Sequence, residues 1–342
     1  MTGLRVLWLS PWMRPLARVY AEALQDVGAE VLLVTSDQHP SSDSTRPYEL
    51  VLEPRPSRLR TWPEAARAIR RAGEFAPDVV VSELVRDPRW LAFGRAVPRV
   101  ELIHDDRPHD AGEIRPGWER ALFGRTARRS RWVAFSDYVA GEVGAADVVP
   151  LTSDLFDHEA PAFVPAGRRR DFVLLGRLNG YKNIDVCLQA WRKHTCGGSW
   201  AGDDLVLVGD GEWRGELPDH VVWQRKPFRY VDVLPRLARA KGSIVHYRRA
   251  SQSGVQVLAM QLGVTPVVST EGALPEFQPP GESPIDADDV DGLARAFDAL
   301  ADPVEAAARG LAAQDHYRRT YSAAVSAQVL LDVLSRTAAR QG

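Results

Sequence analysis

The chain has 342 residues, 45% hydrophobic and 26% charged, an ordinary globular composition. Its length suits about two domains, each able to bury a core without staples. The net charge of −2 splits at residue 165 into −3 (21 basic, 24 acidic) and +1 (22 basic, 21 acidic), without the basic excess of a nucleic-acid binder. Cys187 and Cys196 are too few for a disulfide framework or a zinc site. No apolar run approaches the ~18 residues of a membrane span. The N-terminus enters a strand pattern directly, without a signal-peptide apolar region, so the expectation is a cytoplasmic protein.

The first forty residues read as strand, helix, strand. Leu4–Leu9 is a buried-strand run, Pro15–Val27 has helical apolar spacing closed by Gly28, and Ala29–Val34 is the next strand. Short connections between them predict a parallel βαβ unit. Further strands are expected at Asp78–Val81, Arg99–Ile103, Trp132–Phe135 and Val148–Leu151, and helices at Pro63–Ala72, Trp90–Ala96 and Trp118–Arg129. Six strands with helices between them make a Rossmann-type layer.

Proline, glycine and three arginines coincide over Pro161–Arg170, which reads as a linker. A second α/β series follows, with strands at Phe172–Leu175, Leu205–Val208, Val221–Trp223, Ser243–His246 and Pro266–Val268. Helices are expected at Asn183–Lys193, Val231–Arg239, Val255–Leu262 and Gly292–Leu300, and a last amphipathic helix at Ser322–Arg340.

Three segments of this second series carry chemistry. Leu174–Ile184 ends a strand at Gly176 and sets Arg177 and Lys182 in the loop before a helix, a placement suited to a diphosphate. Val208-Gly209-Asp210-Gly211 again ends a strand in glycine, at the edge where open α/β sheets place ligands. Ser251–Gly263 opens a helix from a serine–glycine loop, so the amides of Ser253, Gly254 and Val255 suit a phosphate; Pro266–Glu276 then supplies a strand and a second glycine loop. Taken singly, each also reads as a solvated loop or a common turn.

The order Gly-Arg-x4-Lys, Val-Gly-Asp-Gly, Ser-Gly-helix-Gly-x2-Pro-Val-Val, Gly-x2-Pro-Glu resembles the donor half of retaining GT-B glycosyltransferases, and most closely glycosyltransferase family 4, over Phe172–Glu276. The first half matches more loosely, through Ile103-His104-Asp105 and Phe135-Ser136-Asp137-Tyr138. The resemblance implies two Rossmann-like domains facing a cleft: an acceptor domain at 1–163, a nucleotide-sugar donor domain at 164–318, and a C-terminal helix at 319–342 returning to the first. It implies that Arg177 and Lys182 hold the donor diphosphate and offset leaving-group charge, beside Gly176, Gly209, Ser253, Gly254 and Val255. His104, rather than His109 in the same loop, would line the sugar site. Lys226, Pro227 and Phe228 lie where the nucleotide base is held.

Two departures stand out. Aligned on Ala259-Met260 and Gly263, the family's glutamate pair falls on Ala250 and Leu258, with Gln252 and Gln256 nearby but out of register. Ser10-Pro11-Trp12-Met13-Arg14 replaces the glycine-rich turn after the first strand. The expected activity is metal-independent retaining transfer from a nucleotide-sugar, taken as substrate and not cofactor, to an unidentified acceptor. The alternatives are a non-catalytic relative binding a sugar nucleotide or a partner enzyme, and a sugar-nucleotide epimerase of the same fold. The basic stretch Arg115, Arg120, Arg125, Arg128, Arg129, Arg131 suits either peripheral contact with the inner membrane face or a solvated helix face.

Overall fold

The structure is a computed structural model that describes residues 3–36, 44–53, 58–106, 117, 122–124, 128–226 and 230–339. The chain divides into two compact units, Met1–Asp154 with Ala323–Gly342, and Leu155–Ser322. The first break thus precedes the proline-rich segment, whose residues group with the second unit.

The first unit is a parallel sheet of seven strands: β1 (Arg5–Ser10), β2 (Glu30–Ser36), β3 (Glu49–Leu52), β4 (Val79–Glu83), β5 (Arg99–Ile103), β6 (Arg131–Ala134) and β7 (Asp147–Val148). Their order is β3-β2-β1-β4-β5-β6-β7. Val6–Leu9 and Val79–Val81 are fully buried, the reason these strands read as unbroken apolar runs. Among its described residues before the second unit are the helices α1 (Arg14–Asp26), α2 (Trp62–Phe75) and α3 (Asp137–Val143). Trp90–Ala96, expected as a helix, is instead a 3-10 segment at Pro88–Ala92. Asp87 caps it, and its C-terminal end opens into Gly94 at φ +56°. Most of Trp118–Arg129 lies outside the described residues.

β3 makes seven strands where six are expected. It has only four residues, stands at the sheet edge, and carries Glu49, a residue that breaks the apolar pattern. That carboxylate is fully buried: it accepts from Arg14 Nε at 2.6 Å, Arg18 at 2.6 Å and Thr35 Oγ1 at 2.6 Å. Arg14, in the stretch that replaces a glycine turn, is therefore engaged in a buried ion pair that fixes the start of α1.

The second unit is a five-stranded parallel sheet: β8 (Phe172–Leu175), β9 (Leu205–Val208), β10 (Val221–Gln224), β11 (Gly242–Val245) and β12 (Pro266–Val268), in the order β10-β9-β8-β11-β12. Its helices are α4 (Ile184–Thr195), α5 (Tyr230–Ala238), α6 (Gly254–Gln261), α7 (Val290–Ala301) and α8 (Pro303–Thr320). Phe172, Trp191 and Phe297 meet edge-to-face, with centroids 5.0–5.7 Å apart, in the core on one sheet face. The other face packs Leu155, Val173, Leu175, Val206 and Val208 against Leu258, Ala259 and Leu262 of α6. Burying each large side chain contributes roughly 1.5–3 kcal/mol.

α8 escapes the sequence reading because its buried face is Ala306, Gly310, Ala313, Gln314 and Tyr317, mostly small residues with no strong apolar period. Arg169, inside the linker-like segment, is buried. It donates to Ala240 O at 3.0 Å and Gly263 O at 2.7 Å, carbonyls just past the ends of α5 and α6. Burial lowers its pKa to about 10. α9 (Ala323–Ala339) packs on α1, inside the first unit.

Candidate donor site on the second sheet and the His104 cluster on the first

The candidate groups of the second unit lie on loops that follow the strands' carboxyl ends. After β8 the chain turns at Gly176, with φ +120°, a region that disfavours any side chain. A Cβ there would also stand 3.0 Å from Lys182 Nζ. The loop is zipped to its neighbour after β9. Gly176 N donates to Val208 O at 3.0 Å, Leu178 N to Asp210 O at 2.8 Å, and Trp213 N to Leu178 O at 3.2 Å. Gly211 must be glycine for that approach, since a Cβ would lie 2.4 Å from Leu178 O.

Lys182 is buried, at 4% exposure, whereas Arg177 is exposed. The Lys182 ammonium donates to Leu175 O at 3.1 Å and to Tyr247 Oη at 2.6 Å. Burial, then the nearby Arg177 charge, lowers its pKa to about 7. Asn183 follows in the left-handed region at φ 55° and starts α4; its Nδ2 donates to Ala287 O at 2.6 Å. The loop is thus held by backbone and side-chain bonds while one cation stays buried and a second reaches solvent.

On the loop after β11, the strand next to β8, Ser253 caps α6 by accepting from Gln256 N at 3.4 Å. Ser253 is buried and Gly254 exposed at the helix start, where amides face outward. Tyr247, after β11, lies in hydrogen-bond contact with Ser253. It therefore joins Lys182 to the α6 cap. Sequence reasoning passed over Tyr247; its one signal is a large hydroxyl-bearing residue right after a strand that ends in this loop.

The two positions where the resemblance implies glutamates, Ala250 and Leu258, are core. Leu258 is fully buried among the aliphatic residues under α6, and Ala250 packs with Val245, Tyr247, Val268 and Leu274. Gln256 is fully buried too; its Nε2 donates to Leu274 O at 2.9 Å, tying α6 to the glycine loop that follows β12. Lys226 is exposed just past β10, and Arg225 lies over Trp223, 4.6 Å from its centroid. Pro227 and Phe228 lie outside the described residues.

In the first unit, His104 follows β5 and is 7% exposed. Its Nε2 lies 2.6 Å from Glu83 Oε2, at the end of neighbouring β4, and Trp8 Nε1 donates to Glu83 Oε1 at 2.9 Å. The imidazole leans on Phe135, with centroids 5.0 Å apart. Glu83, missed in the sequence, is detectable as a carboxylate ending the run Val79-Val80-Val81-Ser82. His109, Arg115, Arg120 and Arg125 lie outside the described residues. Arg131 is no part of an exposed basic face: it pairs with Asp147, which Arg336 also approaches at 3.0 Å. Among the described residues no cluster of three or more His, Cys, Asp or Glu side chains could hold a metal, and no helix is long and apolar enough to cross a membrane.

Residues 169–302 match the family described as Glycosyl transferases group 1. A comparison with curated proteins finds no match. The sucrose-phosphate synthase of Thermosynechococcus elongatus is similar in structure over 98% of this chain and 100% of its own (TM-score 0.70, 15% identity). AviGT4, a glycosyltransferase involved in avilamycin A biosynthesis, is similar over 98% of both chains (TM-score 0.62, 16% identity). The α,α-trehalose 6-phosphate synthase of Burkholderia multivorans is similar over 99% of this chain and 98% of its own (TM-score 0.66, 11% identity). At these identities the likeness establishes fold alone: two parallel α/β units of the GT-B kind, the second containing the residues 169–302 that match the Glycosyl transferases group 1 model.

Proposed function

We propose that the protein is a retaining glycosyltransferase that takes its sugar from a nucleotide-sugar and needs no metal. The observation that carries this reading is the grouping of Lys182, Ser253 and the first amides of α6 through Tyr247, with Arg177 on the same loop as Lys182. A diphosphate brings two to three negative charges, and these are the donors that offset them. Cationic side chains and helix amides stabilise the departing diphosphate more than the intact donor, which lowers the barrier. The phosphate oxygen released by bond cleavage then takes the acceptor's proton, so no separate base is required. His104, held by Glu83, is assigned to the transferred sugar.

The family match over 169–302 and the activities of the structural neighbours named above support the transferase class. The acceptor is a small molecule, glycan or lipid-linked sugar, and a lipid-linked acceptor would bring the protein to the membrane surface. A second reading has a specific observation in its favour: Leu258 and Ala250 are core, so the family's two carboxylates have no counterpart at those positions. On that reading the protein binds a sugar nucleotide without turning it over. Incubating the chain with UDP-, GDP-, ADP- and dTDP-sugars and measuring nucleoside diphosphate release, with and without EDTA, separates the two. Release that survives EDTA and adds to a supplied acceptor supports transfer; tight binding with no release in any acceptor mixture supports the binding reading.

A further inference from the structure

We propose that Tyr247 is a positioning residue that joins Lys182 on the β8–α4 loop to Ser253 at the start of α6, making two separate phosphate-binding elements into one preformed anion site. The proposal rests on the donor-site reading above and assigns a part of that site that no match or motif assigns.

Three features carry it. Tyr247 is 3% exposed and its backbone is pinned, with Ser269 Oγ donating to its carbonyl at 2.6 Å. Its hydroxyl accepts from Lys182 Nζ at 2.6 Å and contacts Ser253 on the other side. Its ring packs edge-on against Tyr181, centroids 6.0 Å apart, so it cannot swing toward the Lys182 loop without displacing that neighbour.

Donor arithmetic then gives the hydrogens a direction. An ammonium has three N–H donors. Lys182 spends one on Leu175 O and one on Tyr247 Oη, leaving one. The phenolic oxygen has two lone pairs, and the Ser253 bond lowers the Tyr247 pKa against burial, so Ser253 Oγ–H donates to Tyr247 Oη beside the Lys182 ammonium. Ser253 Oγ accepts from Gln256 N while its own hydrogen goes to Tyr247, so the α6 cap and the ammonium meet on one phenolic oxygen. The remaining Lys182 hydrogen and the amides of Gly254 and Val255 are then the donors offered to one anion. Phenylalanine at 247 would keep the packing and remove both links.

The charged and titratable groups around the ammonium are Arg177 and Tyr181 on its own loop and Tyr247 on the loop after β11. His246, beside Tyr247, faces Asn183 Nδ2 and Asp286 O instead. α6 contributes no titratable group there. Burial leaves the ammonium marginal near neutral pH, so each accepting group matters to its charge. Losing the Tyr247 hydroxyl makes the charged form less favourable, and the pH above which anion binding weakens should move down.

The test is calorimetry on the full chain, from pH 6 to 9, with UDP, GDP, ADP and dTDP as probes. Tyr247→Phe should weaken the tightest probe about tenfold or more, with the melting temperature nearly unchanged and the pH profile displaced downward. In a Lys182→Ala background the same change should cost less than twofold. Wild-type affinity and pH profile in Tyr247→Phe, or equal losses in both backgrounds, would overturn the assignment while leaving the donor site standing. If no probe binds the wild-type chain, the donor-site reading falls and this proposal falls with it. Should Tyr247→Phe not fold, Ser253→Ala cuts the chain at its other end: weaker binding of the same probe with a displaced pH profile supports the link, and an unchanged profile overturns it.

Discussion

Glu83 and His104 stand side by side at the ends of neighbouring strands, Oε2 and Nε2 2.6 Å apart, and Trp8 holds the second carboxylate oxygen. With Nε2 turned to Glu83, the Nδ1 edge of the imidazole is the one left to meet a ligand. A fixed ring orientation of this kind matters for a residue that touches a sugar and little for one that only packs.

The first prediction follows directly. His104→Ala should lower nucleotide-sugar turnover at least tenfold while changing nucleoside diphosphate affinity by no more than a few-fold. Glu83→Gln should show a smaller loss of the same kind. Steady-state rates and calorimetry on the same preparations check it; an unchanged rate in folded His104→Ala assigns the residue to packing against Phe135.

Leu258 gives the second. A carboxylate placed in the fully buried aliphatic core under α6 has no partner, and an uncompensated buried charge costs about 3–5 kcal/mol. Leu258→Glu should therefore lower the melting temperature sharply and should not tighten nucleotide binding. A stable variant with tighter binding would mean that this position opens on the ligand.

Glu49 makes stability depend on acid. Burial alone would raise its pKa, but hydrogen bonds from Arg14, Arg18 and Thr35 outweigh it and lower the value from 4.5 to about 2. A carboxylate with a depressed folded-state pKa contributes stability above its unfolded value and loses it as pH falls through the folded one. The window is thus about pH 4.5 down to 2, and the contribution is on the order of 3 kcal/mol. Glu49→Gln should be less stable than the wild type at pH 7, and the two should converge toward pH 2. A gap that stays constant with pH would contradict this.

The sheets were largely legible in the sequence, because buried parallel strands are continuous apolar runs; Phe172–Leu175, Leu205–Val208 and Pro266–Val268 read out residue for residue. β3 was not, since a short edge strand that ends a buried ion pair has the pattern of a loop. α8 was not, since alanine and glycine pack closely without an amphipathic signal. In the candidate site, Gly176, Lys182 and Ser253 stand out in the sequence because glycine turns and helix caps are local patterns. Tyr247 and Glu83 act through contacts with residues 65 and 21 positions away, and the local signal each carries, a polar group at a strand end, does not name that partner.

Gly176 offers a fourth prediction. Alanine there meets both a left-handed backbone and the Lys182 ammonium at 3.0 Å. Gly176→Ala should displace Lys182 and weaken nucleoside diphosphate binding by more than tenfold, with a smaller effect on the corresponding nucleoside. Equal losses for both ligands, measured by calorimetry, would mean that the turn matters only for folding.

The central claim is that the second unit holds a diphosphate through Lys182 and Arg177. Affinity should be measured for the best-binding nucleoside diphosphate and for its nucleoside, in the wild type, Arg177→Ala and Lys182→Ala. A hydrogen bond to a charged group contributes roughly 1.5–3 kcal/mol, or about ten- to hundredfold. Each substitution should therefore weaken the diphosphate by that factor and leave the nucleoside within a few-fold. Equal weakening of both ligands, or no weakening of either, would contradict the account.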